Sequence, residues 1–212
     1  MKAIQVSKAG GAEVLKMATV ETQKPGDDEV LITVHAAGIN RSDIMVRKKP
    51  DTYGGAQGEK IIPGLEVAGV IKAIGAGVTT HQVGDEVCTL IKQGGYAEEV
   101  VASAQLTLPI PQGLSFIEAA SLPEVIFTVW FNIFQQAKIK KGERLLIHGG
   151  TSGIGIMGLQ MAKALGISTF STAGTDGKVD FLTNLGVDHA INYKEKEFSE
   201  VFKNEDINVI LD

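Results

Sequence analysis

The residues best placed to do chemistry are a run of glycines between an apolar strand and a helical pattern. Gly149, Gly150, Thr151, Ser152, Gly153, Ile154 and Gly155 follow the short apolar stretch Leu145 to His148. Ile154, Met157, Met161, Ala162 and Leu165 then recur at helical spacing, and Gly166 stands where a helix would stop. Such a strand, turn and helix form the first half of a dinucleotide-binding βαβ unit. The glycines let backbone N–H groups approach a pyrophosphate at the helix N-terminus, where the helix dipole favours an anion. Gly150, Ser152 and Gly155 fall on the G-x-G-x-x-G spacing, with serine in the second place. A glycine turn of purely structural purpose is the competing reading, and the flanking strand and helix weigh against it.

The elements that must position this turn change character along the sequence. Lys2 to Val6, Glu29 to Ala36, Val67 to Ile74 and Glu86 to Ile91 read as short strands, separated by Pro25-Gly26, Pro63-Gly64 and Val83-Gly84-Asp85. Arg41 to Lys48 is the one helical pattern among them. From Ser115 the period becomes helical. Ser115 and Glu118 make a capping box, Pro123 interrupts, and Glu124 to Gln136 is strongly apolar. Beyond the glycine turn, strands at Ile167 to Thr172, Ala190 to Asn192 and Ile207 to Leu211 alternate with helices at Lys178 to Leu185 and Phe198 to Lys203. That alternation predicts a parallel sheet. The expected fold is α/β with an all-β part: a barrel-like domain over residues 1–120 and a Rossmann-type domain over 121–212. The last strand is expected to be buried mid-sheet. Only four strands of a six-stranded doubly wound order are present, so the second half of that sheet is expected to be missing.

Composition removes several function classes. A formal charge of −5 without any Lys/Arg block argues against nucleic acid as a partner. A single cysteine, Cys88, excludes an internal disulfide and a cysteine-cluster zinc site. No apolar run reads as a membrane span, and the start MKAIQVSKAGG has no signal-peptide core. A cytoplasmic location without membrane partners is therefore expected. His35, His81, His148 and His189 are scattered without metal-ligand spacing and read as structural.

Taken together, PGLEVAGVIKAIGAGV with VGDEV, the GIN-RSD segment, LIHGGTSGIG, and STAGT followed by Lys178 and INY resemble the medium-chain dehydrogenase/reductase superfamily. The branch most resembled is the zinc-independent quinone oxidoreductases, the zeta-crystallin-like group. The resemblance runs the whole length of the sequence. It implies an N-terminal GroES-like β-barrel followed by a partial Rossmann sheet. Family members are longer, and their extra C-terminal part finishes that sheet, supplies a dimer strand and returns to the catalytic domain. The resemblance thus implies that this chain is C-terminally incomplete, with a homodimer expected of the full-length family. Zinc-dependent relatives place cysteine, histidine and glutamate where this chain has Asn40, Leu65 and Glu66. Asn40 and Leu65 cannot replace a thiolate and an imidazole. No metal is expected, and Glu66 is read as a buried, hydrogen-bonded carboxylate.

Cofactor choice turns on the end of the second Rossmann strand, where an acid would accept ribose hydroxyls. Here stand Ser171, Thr172, Ala173, Gly174 and Thr175, with Lys178 just beyond. Hydroxyls, backbone donors and a cation suit a 2′-phosphate, so NADPH is the expected cofactor. Asp176 is the competing ribose acid, read instead as capping the next helix. The family pattern lines the 2′-phosphate pocket with Gly174, Thr175, Lys178 and Tyr193. It sets Ser152, Gly153 and Ile154 against the pyrophosphate, and Asn40 and Thr128 near the nicotinamide. Asn40 and Tyr53 are expected in the substrate pocket. The family's Arg-x-Gly-x-Tyr-Pro segment is replaced by RKKPDTYGG, and Met45 stands where a pocket tyrosine is common. Asp43 is read as capping the short helix.

The implied activity is zinc-independent hydride transfer from NADPH to a quinone or enone. A quinone is already electrophilic and its reduced oxygens take protons from solvent, so no catalytic side chain is named. An NADPH-binding module with little catalysis, and an inactive fragment, are the alternatives. A zinc alcohol dehydrogenase is a weaker third.

Overall fold

Alternating β-branched residues build the first half of the molecule. The computed structural model describes residues 1–50 and 60–212. Strands β3 (Glu29–Ala37), β4 (Glu66–Ile74), β5 (Glu86–Leu90), β6 (Glu99–Ser103) and β7 (Thr107–Pro109) pair antiparallel in the order β6-β3-β4-β5-β7. Val30 and Ile32 of β3, Val67 and Ile71 of β4, Val87 of β5 and Val100 of β6 are drawn into one buried cluster. Their i, i+2 or i, i+4 spacing is what a sheet buried on one face requires. The β3–β4 register shifts between Leu31 and Ile32 and again between Val34 and Ala36. Such bulges bend and twist a sheet. Strands β1 (Lys2–Gln5) and β2 (Lys16–Thr19) form a separate antiparallel pair, and α1 (Arg41–Lys48) follows β3.

Two compact units divide the molecule at Glu124 and Val125. In the second, β8 (Arg144–His148), β9 (Ser168–Ala173), β10 (His189–Asn192) and β11 (Val209–Leu211) lie parallel in the order β10-β9-β8-β11. In sequence order this is 3-2-1-4, the first part of the doubly wound pattern. Alternate residues of β8 feed two cores. Leu145 and Ile147 pack with Leu159 and Ala162 of α4 (Gly153–Ala164) and Leu182 of α5 (Asp176–Leu185). Leu146 packs with Phe170, Ile191 and Phe202. Burial on both faces explains why β8 reads as a continuous apolar run.

The helical region that precedes β8 departs from expectation in part. The break expected at Pro123 is present at residues 120–122, and Pro123 opens α3 (Pro123–Val129) in the first-turn position where its missing N–H costs nothing. The α-helix then widens into a π-helical segment, Trp130–Gln136. Together with α2 (Phe116–Ala119), the stretch Phe116–Gln136 spans 21 residues at mean hydropathy 1.3, long and apolar enough by length and composition to cross a membrane. The sequence pattern hides this, because Glu118, Pro123 and Glu124 break the stretch visually. Its buried residues serve two protein cores: Ala119 and Ala120 pack with Ala68 and Cys88, and Val129 and Ile133 with Leu145 and Ile147.

Strand β11 lies at the edge of the four-stranded sheet, and Ile210 is 57 % exposed.

Candidate functional site

In the N-terminal unit, a polar cluster forms where β3 gives way to α1. Asn40 precedes the first turn of α1 with extended backbone. Its side-chain amide donates to Glu66 Oε1 at 2.8 Å, and the backbone N–H of Glu124 donates to Glu66 Oε2 at 2.9 Å. Glu66 is 3 % exposed, so both oxygens of a buried carboxylate are satisfied by N–H donors. Where the family pattern sets metal ligands, this chain holds an amide–carboxylate pair.

Asp43 is the second hub. Its Oδ2 accepts the backbone N–H of Asn40 at 2.7 Å and the phenol O–H of Tyr96 at 2.8 Å, and its Oδ1 accepts the N–H of Gly64 at 3.2 Å. The capping role expected of Asp43 is present, with two longer-range partners added. Burial, reinforced by the hydrogen bond and charge of Asp43, pushes the Tyr96 phenol far above its ordinary range. Tyr96 therefore stays protonated and donating. Sequence reasoning does not single it out, and only its place in the Gly94-Gly95-Tyr96 turn marks it. Met45 lies on α1 and is partly exposed. Tyr53 lies outside the described residues.

In the C-terminal unit, the glycine turn packs closely against the start of the next helix. Ser152 is the N-cap of α4, and its Oγ accepts the Gly155 N–H at 3.0 Å. A Cβ on Gly155 would lie 2.7 Å from the Gly150 backbone. One on Gly150 would lie 2.0 Å from Ser171 Oγ. The helix thus starts closer to the turn and to β9 than any side chain permits. Gly153 and Ile154 occupy the first turn of α4, whose N–H groups lack intrahelical acceptors and face outward along the helix axis. Ser152 in the second place costs nothing in fit, because its hydroxyl turns back into the helix. A dinucleotide pyrophosphate fits this cradle.

The rim expected for a 2′-phosphate is partly assembled. Tyr193 N–H donates to Ala173 O at 3.0 Å, and a Cβ on Gly174 would come within 2.9 Å of the Tyr193 hydroxyl. Gly174 and Tyr193 are therefore in contact. Thr175 is the N-cap of α5, and Lys178 is exposed on its first turn. Asp176 is not the cap. It is the first helical residue, and its Oδ1 accepts the Asn192 side-chain amide at 2.9 Å. Thr128 lies in α3, where its carbonyl accepts the Asn132 side-chain amide at 2.8 Å.

A cavity of about 640 Å³ opens at the carboxyl ends of the strands, lined by Gly149, Thr172 and Tyr193 and also by His148 and Phe198. His148 Nδ1 lies 3.0 Å from Thr172 Oγ1, and its ring meets Phe198 edge-on at 4.7 Å between centroids. Doubly wound sheets take their ligands at this end. The sequence reads His148 as structural, and the structure sets it as the last residue of β8, held by Thr172 and Phe198.

Comparison with known proteins follows the same division. The family model "Alcohol dehydrogenase GroES-like domain" matches residues 26–112, and "Zinc-binding dehydrogenase" matches residues 153–212. A quinone oxidoreductase of Rattus norvegicus is 35% identical over 205 residues, covering 96% of this chain and 62% of the rat protein. The CurK enoyl reductase structure superposes with a TM-score of 0.88 at 31% identity, over 100% of this chain and 66% of that one. The Escherichia coli quinone oxidoreductase complexed with NADPH superposes with a TM-score of 0.82 at 29% identity, over 97% of this chain and 62% of that one. The sequence thus spans somewhat under two thirds of the length of the relatives it matches.

Proposed function

Because the chain belongs to the medium-chain dehydrogenase/reductase superfamily, we propose that it serves zinc-independent, NADPH-dependent hydride transfer to a quinone or another conjugated carbonyl. The observation that carries this reading is the contact of Gly150 with Gly155, which leaves backbone rather than side chain at the mouth of the turn. NADPH supplies the hydride when bound. The protein's part is to bind, orient and exclude water. Ser152, Gly153 and Ile154 take the pyrophosphate at the α4 N-terminus. Gly174, Thr175, Lys178 and Tyr193 take the 2′-phosphate, with the α5 N-terminus adding a favourable field. The bond between Asp176 and Asn192 supports this choice, since that acid is already engaged. Asn40 and Thr128 orient the nicotinamide. The two N–H donors on Glu66 support zinc independence, because Asn40 offers that carboxylate a donor and no second ligand. A cytoplasmic location belongs to the same reading.

Calorimetric titration of the 212-residue protein with NADPH and NADH tests it, followed by NADPH oxidation with menadione as acceptor. NADPH bound at least tenfold more tightly than NADH, with menadione-dependent oxidation, is the expected result. NADH preference overturns the 2′-phosphate assignment. Binding without oxidation supports a cofactor-binding module.

A further inference from the structure

One side chain joins two stretches to which the 2′-phosphate is assigned. Asn192 ends β10, where it pairs with Ala173 at the end of β9. Its Nδ2 donates to Asp176 Oδ1 at 2.9 Å, and its Oδ1 accepts the Lys194 N–H at 3.1 Å. Its backbone carbonyl accepts the N–H groups of Glu195 and Lys196, which closes a turn after β10. Both ends of the amide are thus engaged, and their roles cannot be exchanged. A flipped amide would set its oxygen against the Asp176 carboxylate and its NH2 against the Lys194 N–H. Asn192 is next to Tyr193 in sequence, and Asp176 is next to Thr175. The bond therefore ties the turn after β10 to the start of α5.

Asp176 is what makes this bond matter for cofactor choice. An acid beyond the second strand of a dinucleotide fold accepts the ribose hydroxyls of NADH, and its charge repels a 2′-phosphate. Asp176 is exposed and is the first residue of α5. The N-cap of that helix, Thr175, makes no side-chain capping bond. The partial positive charge at the helix end therefore attracts either anion, the Asp176 carboxylate or a phosphate. The Asn192 amide donates to the carboxylate in a charge-assisted bond and so holds Oδ1 toward β10.

We propose that Asn192 is a positioning residue for cofactor selection: it withholds the Asp176 carboxylate from the ribose and leaves the helix end to the 2′-phosphate. This rests on the reading of the protein as NADPH-dependent and adds the residue that sets the preference. Asn192 acts through Asp176 and not by touching the cofactor. A bond that merely closed the turn after β10 would influence NADPH and NADH alike.

Calorimetric titration with NADPH and NADH tests this on the 212-residue protein, its Asn192→Ala and Asp176→Ala variants, and the double variant. Asn192→Ala is expected to tighten NADH about threefold and to weaken NADPH about threefold, the size of one exposed hydrogen bond or charge. Asp176→Ala is expected to keep the NADPH preference, and adding Asn192→Ala to it to move the ratio no further. Asn192→Ser separates the two roles, because its hydroxyl can close the turn but is too short to reach Asp176. It is expected to shift the ratio as Asn192→Ala does, with unchanged fold by circular dichroism, and it decides if Asn192→Ala fails to fold. Equal losses for both cofactors, or a ratio shift that persists without Asp176, overturn the proposal. A wild-type preference for NADH overturns the cofactor reading alone, since the double variant still reports whether the ratio moves through Asp176. Binding of neither cofactor by any of these proteins overturns both.

Discussion

The Asn40 side-chain amide donates to Glu66 Oε1 at 2.8 Å, across 26 residues of sequence, and so joins the start of α1 to the start of β4. With Glu124 N–H on the other oxygen, the carboxylate has a donor on each side. Removing one donor leaves half of a buried charge without a partner, which costs more than the bond itself contributes. Asn40→Ala is expected to destabilise the fold by about 1–3 kcal/mol. Glu66→Gln in the Asn40→Ala background should recover part of that loss, because the orphaned charge is gone. Urea unfolding of the four combinations measures the coupling, and additive losses would refute it.

The glycine turn makes a sharper prediction. A methyl at Gly150 would meet Ser171 Oγ at 2.0 Å, and one at Gly155 would meet the Gly150 backbone at 2.7 Å. Both overpack, at a cost of about 1–3 kcal/mol. Only the first has a side chain to blame. Ser171→Gly is therefore expected to relieve Gly150→Ala and to leave Gly155→Ala unrelieved, read as thermal midpoints of the singles and doubles. Equal relief of both would mean that the helix start moves as a body.

These relationships differ in how far they can be read from sequence. Gly150, Ser152 and Gly155 lie within six residues, and their spacing alone conveys a strand-to-helix turn. The α1 boundaries and the Ser115–Glu118 capping box are legible for the same local reason. Asp43 and Glu66 are recognisable as bonded carboxylates, but Tyr96 lies 53 residues from Asp43, and no period in the sequence joins them. The π-helical Trp130–Gln136 has the composition of an ordinary apolar helix, so its widened turn leaves no trace in the pattern.

On the proposed reading, Lys178 is the group that separates the two nicotinamide cofactors. It is exposed on the first turn of α5. Lys178→Ala is expected to weaken NADPH about tenfold and to leave NADH unchanged; tenfold is about 1.4 kcal/mol. The NADPH preference should also fall as salt rises, since an exposed cation is screened. Calorimetry at two ionic strengths checks both. A loss shared equally by NADPH and NADH would place Lys178 away from the 2′-phosphate.

Tyr96 connects the polar hub to alkaline stability. Burial raises its phenol above the ordinary value, and the Asp43 hydrogen bond adds to the shift. A raised pKa in the folded state means that the neutral phenol is favoured by folding. That contribution is fully present below the unfolded-state value of about 10 and declines as pH rises through the folded value. Wild type is therefore expected to lose stability above about pH 10, and Tyr96→Phe to lose less over the same interval. At neutral pH the order reverses, because Tyr96→Phe leaves Asp43 Oδ2 with the Asn40 N–H alone. Urea midpoints of both proteins across neutral and alkaline pH should converge as pH rises. Parallel curves would show that the Tyr96 proton is not held by the fold.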